Sequence, residues 1–340
     1  MLQLRLTNFP AVAPCAERIG GICMQKKTFG ILLAVCLLFG VLMITPMADD
    51  NVIEIKDADA LLAMMNNMGS ADYPLDGHYQ LTGDSYDMQG KKVTPIGTSA
   101  KPFTGTFDGN GKTVSNYTYS DTSADNVGFF GYVSNATIKN LTVSGTVTGK
   151  QFVGGIAGYA ASGTTISGCT NNCNVTGIAS AKAQVGGIVG TLATGNALDK
   201  QNILFGNFVS GTILCTGAGR SAINADDLSK GLKSDKSYGV GGVFGYANGS
   251  GGTVPVVENN VIVADVVLKF AYTAANADQT PVAGGLTGYY NVGGGVFKNN
   301  VFAGTVTSET NKCYAGIWSQ NGSVTFKNNY IVEGAADMIN

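Results

Sequence analysis

Residues able to do chemistry near neutral pH are scarce in this chain. It holds one histidine, His78, directly after Asp76-Gly77, and one tryptophan, Trp318. Histidine is the side chain that most readily exchanges a proton near neutrality, so one copy leaves little acid–base capacity. Neither a Ser/His/Asp arrangement nor an HExxH run is present, so peptidase chemistry has no support. His78 reads as a solvated turn residue. Asp84, Asp87 and Asp108 can offer carboxylate oxygens to Ca²⁺, although Asp-Gly turns account for them without a metal. Ca²⁺ is the one ion considered, and no cofactor is expected. A polysaccharide lyase would need clustered carboxylates beside a positioned Arg or Lys; Arg220 and Lys233 are the candidates, and both lie in an insertion. Tyr117, Tyr119, Tyr289 and Tyr290 could stack on sugar rings, with packing inside the fold as the competing use.

The cysteines that follow the leader are Cys169, Cys173, Cys215 and Cys313. No CxxC spacing and no histidine partner points to zinc, so small core residues are the expected role, with their disulfide state left open. Asn-x-Ser/Thr triplets, such as those at Asn135 and Asn140, are read as a product of composition.

Composition narrows the class further. The 340 residues carry 21 Lys+Arg against 23 Asp+Glu, and only 13% are charged, about half the roughly 25% of ordinary globular proteins. Without clustered basic residues, phosphate neutralisation and hence nucleic-acid binding are not expected. A hydrophobic fraction of 44% is too high for a disordered chain. The 48 glycines are about twice the usual share.

Lys26-Lys27 followed by the uncharged run Thr28 to Ala48 has the layout of a secretory leader. Residues 24–48 are read as that signal and 1–23 as an overextended start. An uncleaved anchor is the alternative, because the run is long enough to span a bilayer. The body from residue 49 has 17 basic and 22 acidic side chains, mildly acidic. Export to the surface or medium is expected.

The elements that position everything else are repeats. An apolar-Gly motif recurs as Val127-Gly-Phe-Phe-Gly131, Val153-Gly-Gly-Ile-Ala-Gly158, Val185-Gly-Gly-Ile-Val-Gly190, Val240-Gly-Gly-Val-Phe-Gly245 and Ala283-Gly-Gly-Leu-Thr-Gly288, with a degenerate copy at Tyr314–Ser319. Its glycines are Gly131, Gly154, Gly155, Gly158, Gly186, Gly187, Gly190, Gly241, Gly242, Gly245, Gly284, Gly285 and Gly288. Between the copies lie strand-like runs carrying Asn140, Asn207, Asn260, Asn300 and Asn329. Stacked coils of about 30 residues would bury the apolar positions against one another. Glycine would supply positive-φ corners and close approach, and asparagine would form ladders from coil to coil.

The expected fold is all-β, a right-handed parallel β-solenoid. A β-sandwich is the alternative, and it predicts hairpins. Asp57 to Met68 predicts a helical cap with Leu61, Leu62, Met65 and Met68 on one face, started by Asp57 and stopped by Gly69. Residues 49–112 are assigned to this cap and the first strands, 113–334 to the repeats, and 335–340 to a tail or truncation point. The long step between Gly190 and Gly245 contains the insertion 217–236.

The string PIG…PFTGTFDGNGKTVSNY, followed by VGFFG, ATIKNLTVSG and repeated VGGIVG, resembles GLUG-motif proteins over about Ile55 to Ile331. The resemblance implies an exported adhesin-like scaffold at the cell surface, and it carries no catalytic residues to transfer. The expected function is non-catalytic binding or structure, with a surface glycan or protein as partner and no nucleic acid. A carbohydrate-active β-helix and an accessory region of a larger surface protein are the alternatives.

Overall fold

Short runs of Val, Ile and Thr in period-2 alternation suit a pleated, half-buried surface, and one coil alone cannot bury them. The structure, a computed structural model, describes residues 52–178, 183–194, 200–216, 239–249, 254–269, 282–308, 313–314, 318–319 and 324–332. The leader assigned to 24–48, the stretch 1–23, the insertion 217–236 and the tail 335–340 lie outside the described residues. From Ile53 onward the chain winds as a stack of coils.

Each regular coil visits four faces in the same order. In the coil that begins at Gln151 these are Gln151–Gly154, Ala157–Ala160, Thr165–Ser167 and Thr170–Ile178. The next coil repeats them as Gln184–Gly186, Val189–Ala193, Ile203–Phe205, and Phe208–Val209 with Thr212–Thr216. Strand pairings from Tyr79 onward are parallel. The fold is a parallel β-solenoid, and the hairpins of a sandwich are not found among the described residues. Even Asp108-Gly-Asn-Gly111 turns a corner, joining Thr106–Asp108 on the third face to Thr113–Ser120 on the fourth.

The core is built from ladders of like residues. On the third face Tyr79, Phe107, Ile138, Ile166, Leu204, Val257 and Phe297 stack in register, each buried. Phe326 continues that row but is 48% exposed on the last described rung. At the other end the helix Ala58–Asn66 packs against the stack, with Leu61, Met64 and Met65 buried. Asp57 caps it by accepting the Ala60 N–H at 2.8 Å. Leu62 and Met68 are only partly buried, while Met64, outside the predicted face, is fully buried.

Two of the four corners have constant length. From third to fourth face the buried residues are five apart in successive coils: Ile138 and Val143, Ile166 and Asn171, Leu204 and Val209, Val257 and Ile262, Phe297 and Phe302. The arch from first to second face is equally fixed, Val153 to Ala157 and Val185 to Val189. The first coils depart from both lengths, with seven residues from Tyr79 to Tyr86 and from Phe107 to Val114 and three from Val127 to Phe130. From Val153 onward coils differ in length only at the other two corners, where 217–238 and 270–281 fall between fourth and first faces and 195–199 between second and third.

The two fixed corners use different residues for different reasons. At the third-to-fourth corner the backbone enters the left-handed region at Asn140, Gly168, Gly206, Asn259, Asn299 and Asn328, where Gly and Asn are the residues that fit. The following residue is buried: Leu141, Cys169, Asn207, Asn260 and Asn300. Asn140 therefore belongs to the corner row and not to the ladder of the buried Asn207, Asn260 and Asn300 and the half-buried Asn329. The arch glycines have no positive φ among Gly154, Gly158, Gly186 and Gly190. They are there for space. A Cβ on Gly158 would lie 2.3 Å from the Val127 nitrogen, and one on Gly190 would lie 2.4 Å from the Val153 nitrogen. The second glycine of the motif sits under the fourth face: a Cβ on Gly155 would meet the Asn171 amide, on Gly187 Val209, and on Gly242 Ile262. Gly131, Gly241, Gly245 and Gly288 are packed on backbone in the same way, while Gly284 and Gly285 hold the matching arch positions.

Candidate functional site

With the interior filled by ladders, what the solenoid can offer a partner is its outward side chains, one set per rung. On the second face the residue after the last motif glycine points outward: Tyr132, Tyr159, Thr191, Tyr246 and Tyr289 stand in register. Tyr132 and Tyr159 are stacked, with ring centroids 4.5 Å apart and planes 8° from parallel. Tyr246 and Tyr289 are stacked at 5.6 Å and 18°. Thr191 interrupts the row, its hydroxyl donating to the Gln184 side-chain oxygen. Phe152, on the first face, lies 5.8 Å from Tyr159 at 83°. Tyr132, Phe152 and Tyr159 are each half-buried. Burial, and then the neighbouring phenols of Tyr132 and Tyr246, push the Tyr159 hydroxyl above its ordinary pKa.

Of the four tyrosines predicted from sequence, only Tyr289 belongs to this row. Tyr117 is wholly buried, its hydroxyl donating to the Gly128 carbonyl at 2.9 Å. Tyr290 belongs to the core row of Val133, Ala160, Leu192 and Ala247 and donates to the Gly294 carbonyl. Tyr289 is in the outward row but only 2% exposed, and burial pushes its hydroxyl up to about 12. Tyr119 is half-buried against the core. Adjacent tyrosines on a strand must face opposite ways, so a Tyr-Tyr pair could never present two rings on one side.

The fourth face is an uncharged polar wall over two coils. Its outward residues are Thr142, Ser144, Thr146 and Thr148, then Thr170, Asn172, Asn174 and Thr176. In the third coil Ser210 and Thr212 continue it, but Phe208 and Leu214 replace the threonines at 170 and 176. Ser210 donates to the Asn172 side chain at 2.8 Å, and the Thr212 N–H to that of Asn174 at 3.0 Å. The third face carries charge instead, in cross-rung pairs: Lys139 with Asp108 at 3.2 Å and Lys298 with Glu258 at 3.1 Å.

The predicted acids do not converge. Asp87 accepts from the Asn116 amide at 2.9 Å and the Gln89 N–H at 3.0 Å. Asp108 accepts from the Asn110 N–H at 2.8 Å, the Asn140 amide at 3.2 Å and Lys139. Asp84 is exposed on the short connection between the strands His78–Leu81 and Tyr86–Asp87. Among the described residues no three His, Cys, Asp or Glu side chains gather as a metal site. His78 begins a third-face strand, in register with Thr106. Arg220 and Lys233 lie outside the described residues, as does the side chain of Cys313. Cys169, Cys173 and Cys215 are free and buried, and burial pushes each thiol up to about 12.

No family model matches the chain, and no solved structure matches it. Among curated proteins it is similar to Halomucin of Haloquadratum walsbyi, 32% identical over 27% of this chain. The match spans 1% of that protein's length. No helix among the described residues is long and apolar enough to cross a membrane.

Proposed function

We propose that the chain is an exported, cell-surface β-solenoid of the GLUG type that acts as a non-catalytic, adhesin-like binding scaffold. One observation carries this reading. From Val153 onward the Gly-packed arch and the Asn or Gly corner keep constant length, while insertions fall at the two remaining corners. A repeat scaffold that confines its variation in this way displays that variation to partners. The outward aromatic row and the uncharged Thr/Ser/Asn wall suit a neutral, hydroxyl-rich ligand such as a glycan. The likeness to Halomucin, over 27% of this chain, fits a surface role.

The test is a glycan array probed with the full chain, with and without EDTA, each bound glycan being examined for cleavage. Binding without cleavage is the expected result. Shortened or unsaturated products would overturn the non-catalytic reading; loss of binding in EDTA that added Ca²⁺, but not Mg²⁺, restores would establish a Ca²⁺ requirement.

A further inference from the structure

Phe152 has φ +53°, a backbone region in which a bulky side chain is a true outlier. The coil itself does not demand a ring there. Val127, Val153 and Val185 are in register, so the residues aligned with Phe152 are Asn126 before it and Gln184 after it. Asn126 takes the same conformation, φ +56°, with a residue suited to it. Gln184 is outside the left-handed region. Strain of this kind persists where surrounding structure imposes it, and it concentrates at ligand-contacting positions.

The ring's surroundings indicate what it contacts. Tyr132 and Tyr159 spend ring faces on each other within the ladder. Phe152 stands across that stack at 83° to Tyr159 and remains half-exposed, so it is not a rung of the ladder. One apolar ring set against Tyr159 of a two-phenol stack, with no charge among the three side chains, matches a neutral pyranose. Such a sugar has an apolar C–H face for the aromatic ring and equatorial hydroxyls for the phenols. Coil spacing of about 4.8 Å in a parallel sheet lets a linear glycan meet one rung after another.

Resting on the binding reading above, we propose that Phe152, Tyr132 and Tyr159 form a binding platform for one pyranose of a neutral β-linked glycan. The ring at 152 is held in a left-handed backbone for that contact and not for the coil.

The experiment titrates cellohexaose and chitohexaose into the full chain by calorimetry, beside Phe152→Asn and Tyr132→Phe, with melting temperatures recorded for all three. Phe152→Asn installs the residue the preceding coil uses. It is expected to keep or raise the melting temperature while weakening binding about tenfold or more, and Tyr132→Phe to weaken it about threefold, as for loss of an anchor and of one hydrogen bond. Phe152→Asn binding like the parent, or melting lower than it, would overturn the platform alone and make Phe152 a packing residue. Absence of binding by the parent to both probes would also overturn it; the glycan-binding reading itself fails only if the array is silent as well.

Discussion

The side-chain oxygen of Asn260 accepts two hydrogen bonds from Asn207 one coil earlier, from its backbone N–H and from its side-chain amide, each at 3.0 Å. Asn260 in turn donates its amide to the Leu204 carbonyl at 3.0 Å and to the Asn300 oxygen at 2.9 Å. Asn300 repeats the arrangement with Asn329 and the Val257 carbonyl. The sequence separations, 53, 40 and 29 residues, differ widely. The ladder thus fixes coil register whatever is inserted elsewhere, because each amide closes on the coil before it.

Asn260→Ala should therefore destabilise the chain by about 2–4 kcal/mol, since the buried Asn207 N–H loses its acceptor. Asn260→Asp keeps the shape but replaces the donor with a charged oxygen facing the Leu204 carbonyl, and should cost at least as much at pH 7. Denaturant melts of both variants check this. An unchanged midpoint in Asn260→Ala would show that the ladder does not hold the register.

Close approach, not φ, explains the arch glycines, and two substitutions separate these. A Cβ on Gly190 would meet backbone at 2.4, 2.5 and 2.6 Å, and φ there is not positive. Gly190→Ala should cost about 3 kcal/mol through overpacking. Gly293 also lacks a positive φ, and a Cβ added there would have nothing within 4 Å, so Gly293→Ala should stay within about 0.5 kcal/mol of the parent. Equal thermal shifts for the two would refute the packing argument.

The stacking was legible in the sequence because both constant corners carry their own signature, Gly-Gly in the arch and Asn or Gly before the buried ladder. Which tyrosines face outward was less accessible. Between Val114 and Tyr117 the register shifts, with Asn116 at φ +54°. That irregularity reverses the in–out alternation and drives Tyr117 into the core. The outward row did leave a signal, since Tyr132, Tyr159, Tyr246 and Tyr289 each directly follow the last glycine of a motif copy. Asn140 misled for a similar reason: it precedes Leu141 by one residue, and a one-residue offset separates the corner row from the buried row.

Acid should weaken the stack. Burial alone would raise the Asp108 carboxyl, but the Asn110 N–H, the Asn140 amide and Lys139 outweigh it and hold the pKa below the ordinary value. Asp87, held by Asn116 and Gln89, and Asp121, held by Ser123, are lowered as well. A depressed folded pKa contributes stability above the unfolded value of about 3.9 and loses it as pH falls through the folded one. The melting temperature should be flat with respect to these groups from pH 7 to about 5 and fall below about 4. Asp108→Asn should melt lower at pH 7 and lose less on acidification; a parallel profile would exclude Asp108 as a contributor.

Three buried thiols make a prediction about reactivity. With Cys169, Cys173 and Cys215 pushed up to about 12 by burial, almost no thiolate is available at pH 8, and thiolate is the reactive form. Iodoacetamide on the native chain should leave these three unlabelled, and denaturant should expose all three to it. Native labelling of Cys173, seen by peptide mass spectrometry, would contradict its placement.

Thr287 is the one described rung where this second-face core row turns polar. It stands in register with Phe244, and through it with Val189 and Ala157. Its hydroxyl is wholly buried with no hydrogen-bond partner among the described residues. An unpaired buried hydroxyl costs about 1–3 kcal/mol, and valine has nearly the same shape. Thr287→Val should therefore stabilise the chain by about 1–2 kcal/mol, against the usual trend for core substitutions. A lower melting temperature in Thr287→Val would mean that the hydroxyl is satisfied in solution, by a bound water reaching the row from the arch.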